Sequence, residues 1–389
     1  MRLTECLRRE NNNYDLLRLA AACLVIVGHA YALVPAARGS DWVSKVLHFD
    51  YSGSLAVKFF FFLSGLVVTN SLLRKPDCVA FLTARIARIF PGLIVCVLIA
   101  ALGLGPLVTN LPLRDYLGHP DVISYVVKNI TLALQWNLPG VFTAHPNPGV
   151  NGSLWTLPIE VFCYLVLFAL GLIGVTGGRR AGSLVMTAII AYALVTPRYL
   201  FMFGLPDGES QYLPALFAFG ALLAINQDHC RINFPACIGL GLLAFLLRHT
   251  PVFQYAFYAA ASYGVLVAGA SAALRAIRLP GDFSYGVYLY GWPIQQMLVW
   301  LRPDWSVHRN QAIAIVLALA AGALSWFAIE RPCIRLGRRL ATALSRLPAY
   351  GRGISPRLTV RIPSDRQAGI SKPPPSGSTR PAASTRTLR

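Results

Sequence analysis

Apolar residues in this chain fall in long unbroken runs, not in alternation and not in narrow stripes. Ten such stretches recur, near residues 16–34, 54–73, 91–109, 154–174, 183–203, 211–226, 232–247, 252–273, 283–301 and 311–330, the sixth and seventh being short. About 20 apolar residues in helical form cross the hydrocarbon core of a bilayer. A helix satisfies its own backbone there, which irregular chain cannot do. The expected fold class is therefore all-α, a polytopic membrane protein of about ten transmembrane helices. The first stretch contains Arg18 and no small-residue cleavage site follows it, so it reads as a retained span and not as a signal peptide. Towards the C-terminus the pattern stops. Segments such as KPPPSGSTRPAASTRTLR are rich in Pro, Ser, Thr and Arg and cannot bury a core. The pattern predicts a transmembrane domain over 1–340 and a basic, disordered cytoplasmic tail over 341–389.

Composition agrees with the pattern. Of 389 residues 55% are hydrophobic and only 13% charged, with a mean hydropathy of +0.54, which excludes an ordinary soluble domain. The net charge of +19 invites a nucleic-acid reading, but its distribution removes it. From residue 331 onward there are 13 basic residues against one acid, Asp365, so +12 of the charge lies there. Such a tail suits anionic lipid headgroups, and no nucleic-acid partner is expected. In the short loops, 12 Lys and Arg fall on the side of the N-terminus and 9 on the other. The positive-inside rule then places both termini in the cytoplasm, as in a bacterial inner (cell) membrane. The cysteines lie in spans or at the inner face and form no C-x-x-C pair, so neither a disulfide framework nor a zinc site is expected, and no other metal.

Chemistry-bearing residues inside the runs are few. Arg18 and His29 are eleven residues apart in the first span, which returns the helix to within roughly 20° of the same face, about 16 Å further along its axis. Ionisable groups inside a membrane span are costly and tend to line a cavity or pathway. The bland alternative is an arginine that snorkels and a histidine that bonds a neighbouring helix. Asp15, one turn before Arg18, is placed to pair with it. Glu160 lies six residues into the fourth span, at the depth of His29, as expected of an acid orienting an imidazole base or sharing its proton. Pro158, just before it, should loosen the helix. Arg85 and Arg88, one turn apart at the start of the third span, make a phosphate clamp or simply obey the positive-inside rule. The step Ser64-Gly65 after four phenylalanines lets a helix or a thin ligand approach closely.

In order and spacing these pieces resemble the acyltransferase-3 family of integral membrane O-acyltransferases, from about Tyr14 to Arg335. The matching segments are Asp15-Leu-Leu-Arg18 with ten residues to His29, FFFFLSG ending at Gly65, Arg85-x-x-Arg88 with Pro91, and NGSLWTLPIEVFCY over Asn151–Tyr164. FSYGVYLYGWPIQQ from Phe283 and FAIERP over Phe327–Pro332 complete the set. Two positions depart from the family's usual pattern: Gly291 stands where a histidine is usual, and Val161 where a second acid follows the one matching Glu160. The resemblance implies transfer of an acyl group, usually acetyl from acetyl-CoA, to a sugar hydroxyl of a surface or secreted glycan. It implies an acyl-CoA donor substrate in place of a bound cofactor, with membrane lipid and a glycan acceptor as partners. His29, Glu160 and Arg18 would be catalytic, His29 as general base or acyl carrier. Arg85, Arg88, Ser64 and Gly65 would meet the donor, while Asp15, Trp155, Tyr164 and Tyr285 would support the site. A proton-coupled exporter of a glycan or lipid-linked intermediate uses the same ionisable set and is the alternative.

Overall fold

A computed structural model describes residues 1–37, 39–195 and 210–346; the end of the expected fifth span and most of the expected tail lie outside these. Among the described residues the fold is entirely helical, with no strand. The long helices are α1 Tyr14–Leu33, α2 Ser52–Arg74, α3 Cys78–Leu98, α4 Thr156–Leu172, α5 Arg179–Val195, α6 Tyr212–Ile225, α7 Phe234–Leu246, α8 Phe253–Ala270, α9 Ser284–Leu301, α10 Val307–Ser325 and α11 Arg331–Arg346. The first ten occupy the ten apolar stretches. Among the described residues, five stretches are long and apolar enough to cross a membrane: Tyr14–Leu33, Ser52–Arg74, Cys78–Val108, Gly152–Leu172 and Val307–Leu344. That establishes a multi-pass membrane protein. The last helix, α11, runs past residue 340 to Arg346.

Two of these helices are not regular throughout. After Leu98, α3 passes through a π-helical segment, Ile99–Leu104, and α10 joins α11 through another, Trp326–Glu330. Insertions of this kind are rare and cluster at functional sites; the second one sets the direction of Glu330, whose side chain is fully buried. Small residues set the tightest crossing. A Cβ on Gly65 of α2 would run into the Phe217 carbonyl of α6, and one on Gly220 of α6 into the Phe62 carbonyl of α2. Only glycine lets the two backbones approach so closely, as expected where helices associate by packing in lipid. Gly65 is therefore a packing residue at the crossing of α2 and α6.

The second span also holds a cation that is not a loop charge. Lys58 is 2% exposed and bonds the Asp50 carboxylate at 3.0 Å, with Ser54 as a second partner. Its ammonium faces the Tyr258 and Tyr212 rings, and the Tyr258 hydroxyl donates to Asp50 at 2.8 Å. Full pairing of this kind is what a lysine inside a bundle requires.

The N-terminal segment is tied to the α6–α7 connection, with Leu3 N donating to the Cys230 carbonyl at 2.9 Å. Asn13 caps α1 and reaches across to the Leu274 and Ile277 carbonyls. This end of the bundle therefore collects the start of α1, the α8–α9 connection, the start of α3 and the α10–α11 junction. The opposite end carries the segments 41–51 and 136–152.

Candidate functional site

At that opposite end lies a cavity of about 830 Å³. His29 lines it together with Tyr31, Tyr51, Trp136, Trp155 and Trp292, and polar groups come from Asp41, Asn137 and Asn147. The turn carrying His29 is held from three sides. Gln295 donates to the Ile26 carbonyl at 3.0 Å and Gln311 to the Val27 carbonyl at 2.9 Å. Gly28 leaves no room for a Cβ beside the backbone of Gly53. The imidazole lies edge-on to Trp292 with ring centres 4.7 Å apart, and its buried Nδ1 has no hydrogen-bond partner among the described residues. Asp41 helps shape the rim by capping the short helix Trp42–Leu47 through Ser44 N and accepting from both Ser52 N and Ser52 Oγ. Burial pushes its carboxyl upward in pKa, but the Ser52 and Ser44 hydrogen bonds outweigh this and hold it below its ordinary value.

The loop that lines the cavity is fastened to α9 at a carbonyl freed by the proline within that helix. Pro293 has no N–H, so the Leu289 carbonyl four residues earlier loses its helical donor. Asn151 supplies one in its place, from Nδ2 at 2.9 Å. Trp292 Nε1 and Gln296 Nε2 both donate to the Gly149 carbonyl, Gln296 also to that of Asn147, and its Oε1 meets His145 at 2.7 Å. Asn147 and Gly149 thus line the cavity in a fixed position.

A second, small cavity of about 40 Å³ lies deeper, bordered by Arg18, Phe60, Thr156, Glu160, Tyr285 and Tyr288. Trp155 lines the outer cavity and its neighbour Thr156 the inner one. Between them the Tyr288 hydroxyl bonds Thr156 and the Ser153 carbonyl, each at 2.7 Å. Glu160 is not beside His29. Its Oε1 accepts from Ser64 at 3.2 Å and from Tyr164, and the Ser64 and Tyr164 hydroxyls are bonded at 2.7 Å. Matching depth did not make these side chains neighbours, because α4 starts only at Thr156. The 3₁₀ turn Gly152–Trp155 before it holds the outer wall. Pro158 sits in the first turn of α4, where its missing N–H costs no helical bond.

Arg18 faces this inner cavity but does not pair with Asp15, which bonds the exposed Arg9 instead. Its partner is Asp282, at 3.1 Å, immediately before α9. The same carboxylate oxygen takes Arg88 at 2.6 Å, and Arg88 reaches Glu330 at 2.9 Å with its other terminal nitrogen. Glu330 in turn accepts from Ser325 at 2.9 Å, and Asp282 Oδ1 accepts from the Ser284 hydroxyl and N–H. Arg88 is thus committed to two carboxylates, with Tyr285 and Trp326 rings beside it, and is not one arm of a phosphate clamp. Arg85 diverges from it, since three residues turn a helix 300°, not a full circle. It lies over the Tyr164 ring, its buried Nε unpaired among the described residues, and lines a third cavity of about 320 Å³ with Lys75 and Arg338. Tyr285 donates to the Ile89 carbonyl at 2.8 Å. Asp282, Glu330 and the α9 glutamines are the residues that motif reasoning left without a role. Glu330 and the glutamines stand inside quoted motifs, whereas Asp282 gave only the weak signal of an acid next to a span.

The family profile described as "Acyltransferase domain" matches residues 11–331. The chain belongs to the acyltransferase-3 family. This acyltransferase is 26% identical over 342 residues to an "O-acetyl transferase" of Shigella phage Sf6, covering 83% of this chain and 96% of that one. It is 28% identical over 375 residues to "Nodulation protein 10" of Rhizobium leguminosarum bv. viciae, covering 85% and 97%. It is 26% identical over 359 residues to "Acyltransferase MdmB" of Streptomyces mycarofaciens, covering 81% and 89%. No solved structure matches. The protein is an acyl-transferring membrane enzyme.

Proposed function

We propose that this acyltransferase moves an acyl group, acetyl by preference, from acyl-CoA on the cytoplasmic side to a sugar hydroxyl of a surface or secreted glycan. The observation that carries this reading is His29 in the wall of the outer cavity, with an unpartnered Nδ1 and aromatic faces around it. Flat aromatic rings interspersed with amide and carboxylate groups suit a sugar, which offers apolar C–H faces and hydroxyl edges. In the reading, ten helices span a bacterial inner membrane with both termini and the basic tail beyond 340 in the cytoplasm. The loop cation count supports that orientation. The "O-acetyl transferase" name of the phage relative supports acetyl as the group transferred.

The chemistry assigns a step to each group. The His29 imidazole accepts the proton of the acceptor hydroxyl as its oxygen attacks the thioester carbonyl. The carbon–sulfur bond breaks, and the proton passes to the departing thiolate. Arg18 and Glu160, at the inner cavity, bound the path along which the thioester arm reaches His29. The energy of binding the remote nucleotide then positions the reacting carbonyl. The test compares the masses of surface and secreted glycans from cells with the wild-type gene, the His29→Gln gene and no gene. An acyl-sized mass increment present only with wild type is expected. Unaltered glycan mass in all three would sink the reading, and so would full acylation by His29→Gln.

A further inference from the structure

A backbone carbonyl inside a regular helix already accepts one hydrogen bond, from the N–H four residues on. The carbonyls of Ile26 and Val27, well inside α1, each accept a second one, and the two donors come from different helices. Gln295 of α9 reaches Ile26 at 3.0 Å, and Gln311 of α10 reaches Val27 at 2.9 Å. Neither bond is needed to satisfy the backbone of α1, which the helix does by itself. Both glutamines are buried, and each has a further partner. Gln295 Nε2 also donates to Asn310 Oδ1 at 3.1 Å, and Gln311 Oε1 meets His308 Nδ1 at 3.1 Å. Gln295 Oε1, by contrast, is buried with no partner among the described residues. A buried acceptor left without a bond costs free energy, which a methionine of the same length would avoid. The amide at 295 therefore serves more than stability.

We propose that Gln295 and Gln311 are positioning residues that fix the direction in which His29 points into the outer cavity, an assignment that rests on the proposed role of His29 as base. Consecutive residues of a helix lie about 100° apart around its axis. One interhelical bond would leave α1 free to turn about that point, whereas grips on two successive carbonyls set its rotation as well as its place. Gly28 adds a third constraint, since a Cβ there would run into the backbone of Gly53 on α2. Three successive residues are thus held by α9, α10 and α2, and the next residue is His29. The same stretch of α9 also holds the loop that lines the cavity, because Gln296 bonds the carbonyls of Asn147 and Gly149. Adjacent glutamines on one helix therefore set the base and the acceptor loop relative to each other. A misplacement of about 1 Å between reacting groups can cost on the order of 100-fold in rate. Loss of the Gln295 or Gln311 bond should accordingly act on turnover and not on substrate affinity.

Gln295→Met and Gln311→Met remove the two donors at nearly constant volume. Gln295→Met also strips Asn310 of a partner, whereas Gln311→Met releases only the exposed His308, so the second variant carries the test if the first does not fold. Purified protein in phosphatidylcholine nanodiscs is given radiolabelled acetyl-CoA and glycan isolated from cells lacking the gene. Each variant should lower kcat about tenfold to a hundredfold, with the KM values for donor and acceptor within about twofold of wild type. A second readout needs no turnover. Diethyl pyrocarbonate modifies accessible imidazoles, and its rate at His29 is followed on the His29 peptide by mass spectrometry. That rate should change severalfold in the variants, because the ring no longer holds its place in the cavity wall. Unaltered reactivity of His29 in a folded variant overturns the proposal, whatever happens to kcat. An effect confined to KM, or wild-type kcat in both variants, overturns it as well. Wild-type protein that transfers no label would instead remove the proposed reaction, and the modification rate then decides the positioning role by itself.

Discussion

Asp282 is the joint between α1, α3 and α9, and Asp282→Asn isolates its charge. Two guanidiniums converge on one of its oxygens, while the other caps the start of α9 through Ser284. Asparagine keeps an oxygen for Ser284, so the cap survives and the charge alone is lost. Burial raises the pKa of this carboxyl, but Arg88 and Arg18 together with the Ser284 bonds bring it down to about 2. Measured from an ordinary carboxylate near pH 4, a downward shift of this kind corresponds to roughly 2 kcal/mol of stability. Removing one partner of a buried pair costs about 3–5 kcal/mol when nothing compensates. Here Arg88 retains Glu330, so an intermediate loss of about 2–4 kcal/mol is expected. Thermal unfolding of the purified protein in detergent reads this, at about 1–2 °C for each kcal/mol in a chain of this size. Because the folded value lies below the unfolded one, the contribution is present in full above about pH 4. It is lost as pH falls through about 2, and Asp282→Asn should show no such acid-dependent loss. Arg18→Gln should also cost less in the Asp282→Asn background than in wild type, by at least about 1 kcal/mol. Melting of Asp282→Asn within a degree of wild type, or strict additivity with Arg18→Gln, would refute the network.

Three further outcomes follow from the packing and the loop anchors. Arg88→Gln should destabilise the protein strongly while Arg85→Gln leaves its melting temperature nearly unchanged, because only Arg88 has carboxylate partners; equal shifts in the two melts would contradict the divergence. Gly220→Ala puts a methyl against the Phe62 carbonyl and should cost about 1–3 kcal/mol. Gly291→Ala meets only the Ile26 side chain, which can give, so the reverse order in a melting comparison would dismiss the backbone contact as decisive. Gln296→Ala frees three bonds to His145, Asn147 and Gly149 without touching the outer cavity itself, and should raise the acceptor KM severalfold with kcat within about twofold. A fall in kcat at unchanged KM would place this glutamine in the chemical step instead.

The apolar runs by themselves determined that the chain is helical and embedded in a membrane, because a bilayer demands both length and internal hydrogen bonding. The helical period likewise placed Arg18 and His29 on one helix, and the ordered motifs fixed the family. Partnership was another matter. Asp15 stood one turn from Arg18, yet the arginine took Asp282, 264 positions away in the sequence, since a long side chain at a helix start chooses among all elements that crowd its end. Depth along two spans suggested that Glu160 meets His29, but depth carries no information about azimuth or about which helices are neighbours. The 3₁₀ turn before α4 separates the outer wall from Glu160, and the two side chains line separate cavities. Arg85 and Arg88 read as a pair because they are one turn apart. Packing of α9 and α11 against α3 gave one of them two carboxylates and left the other facing a basic cavity. Sequence periodicity fixes which residues share a helix, whereas contacts between helices far apart in the chain are set by tertiary packing alone.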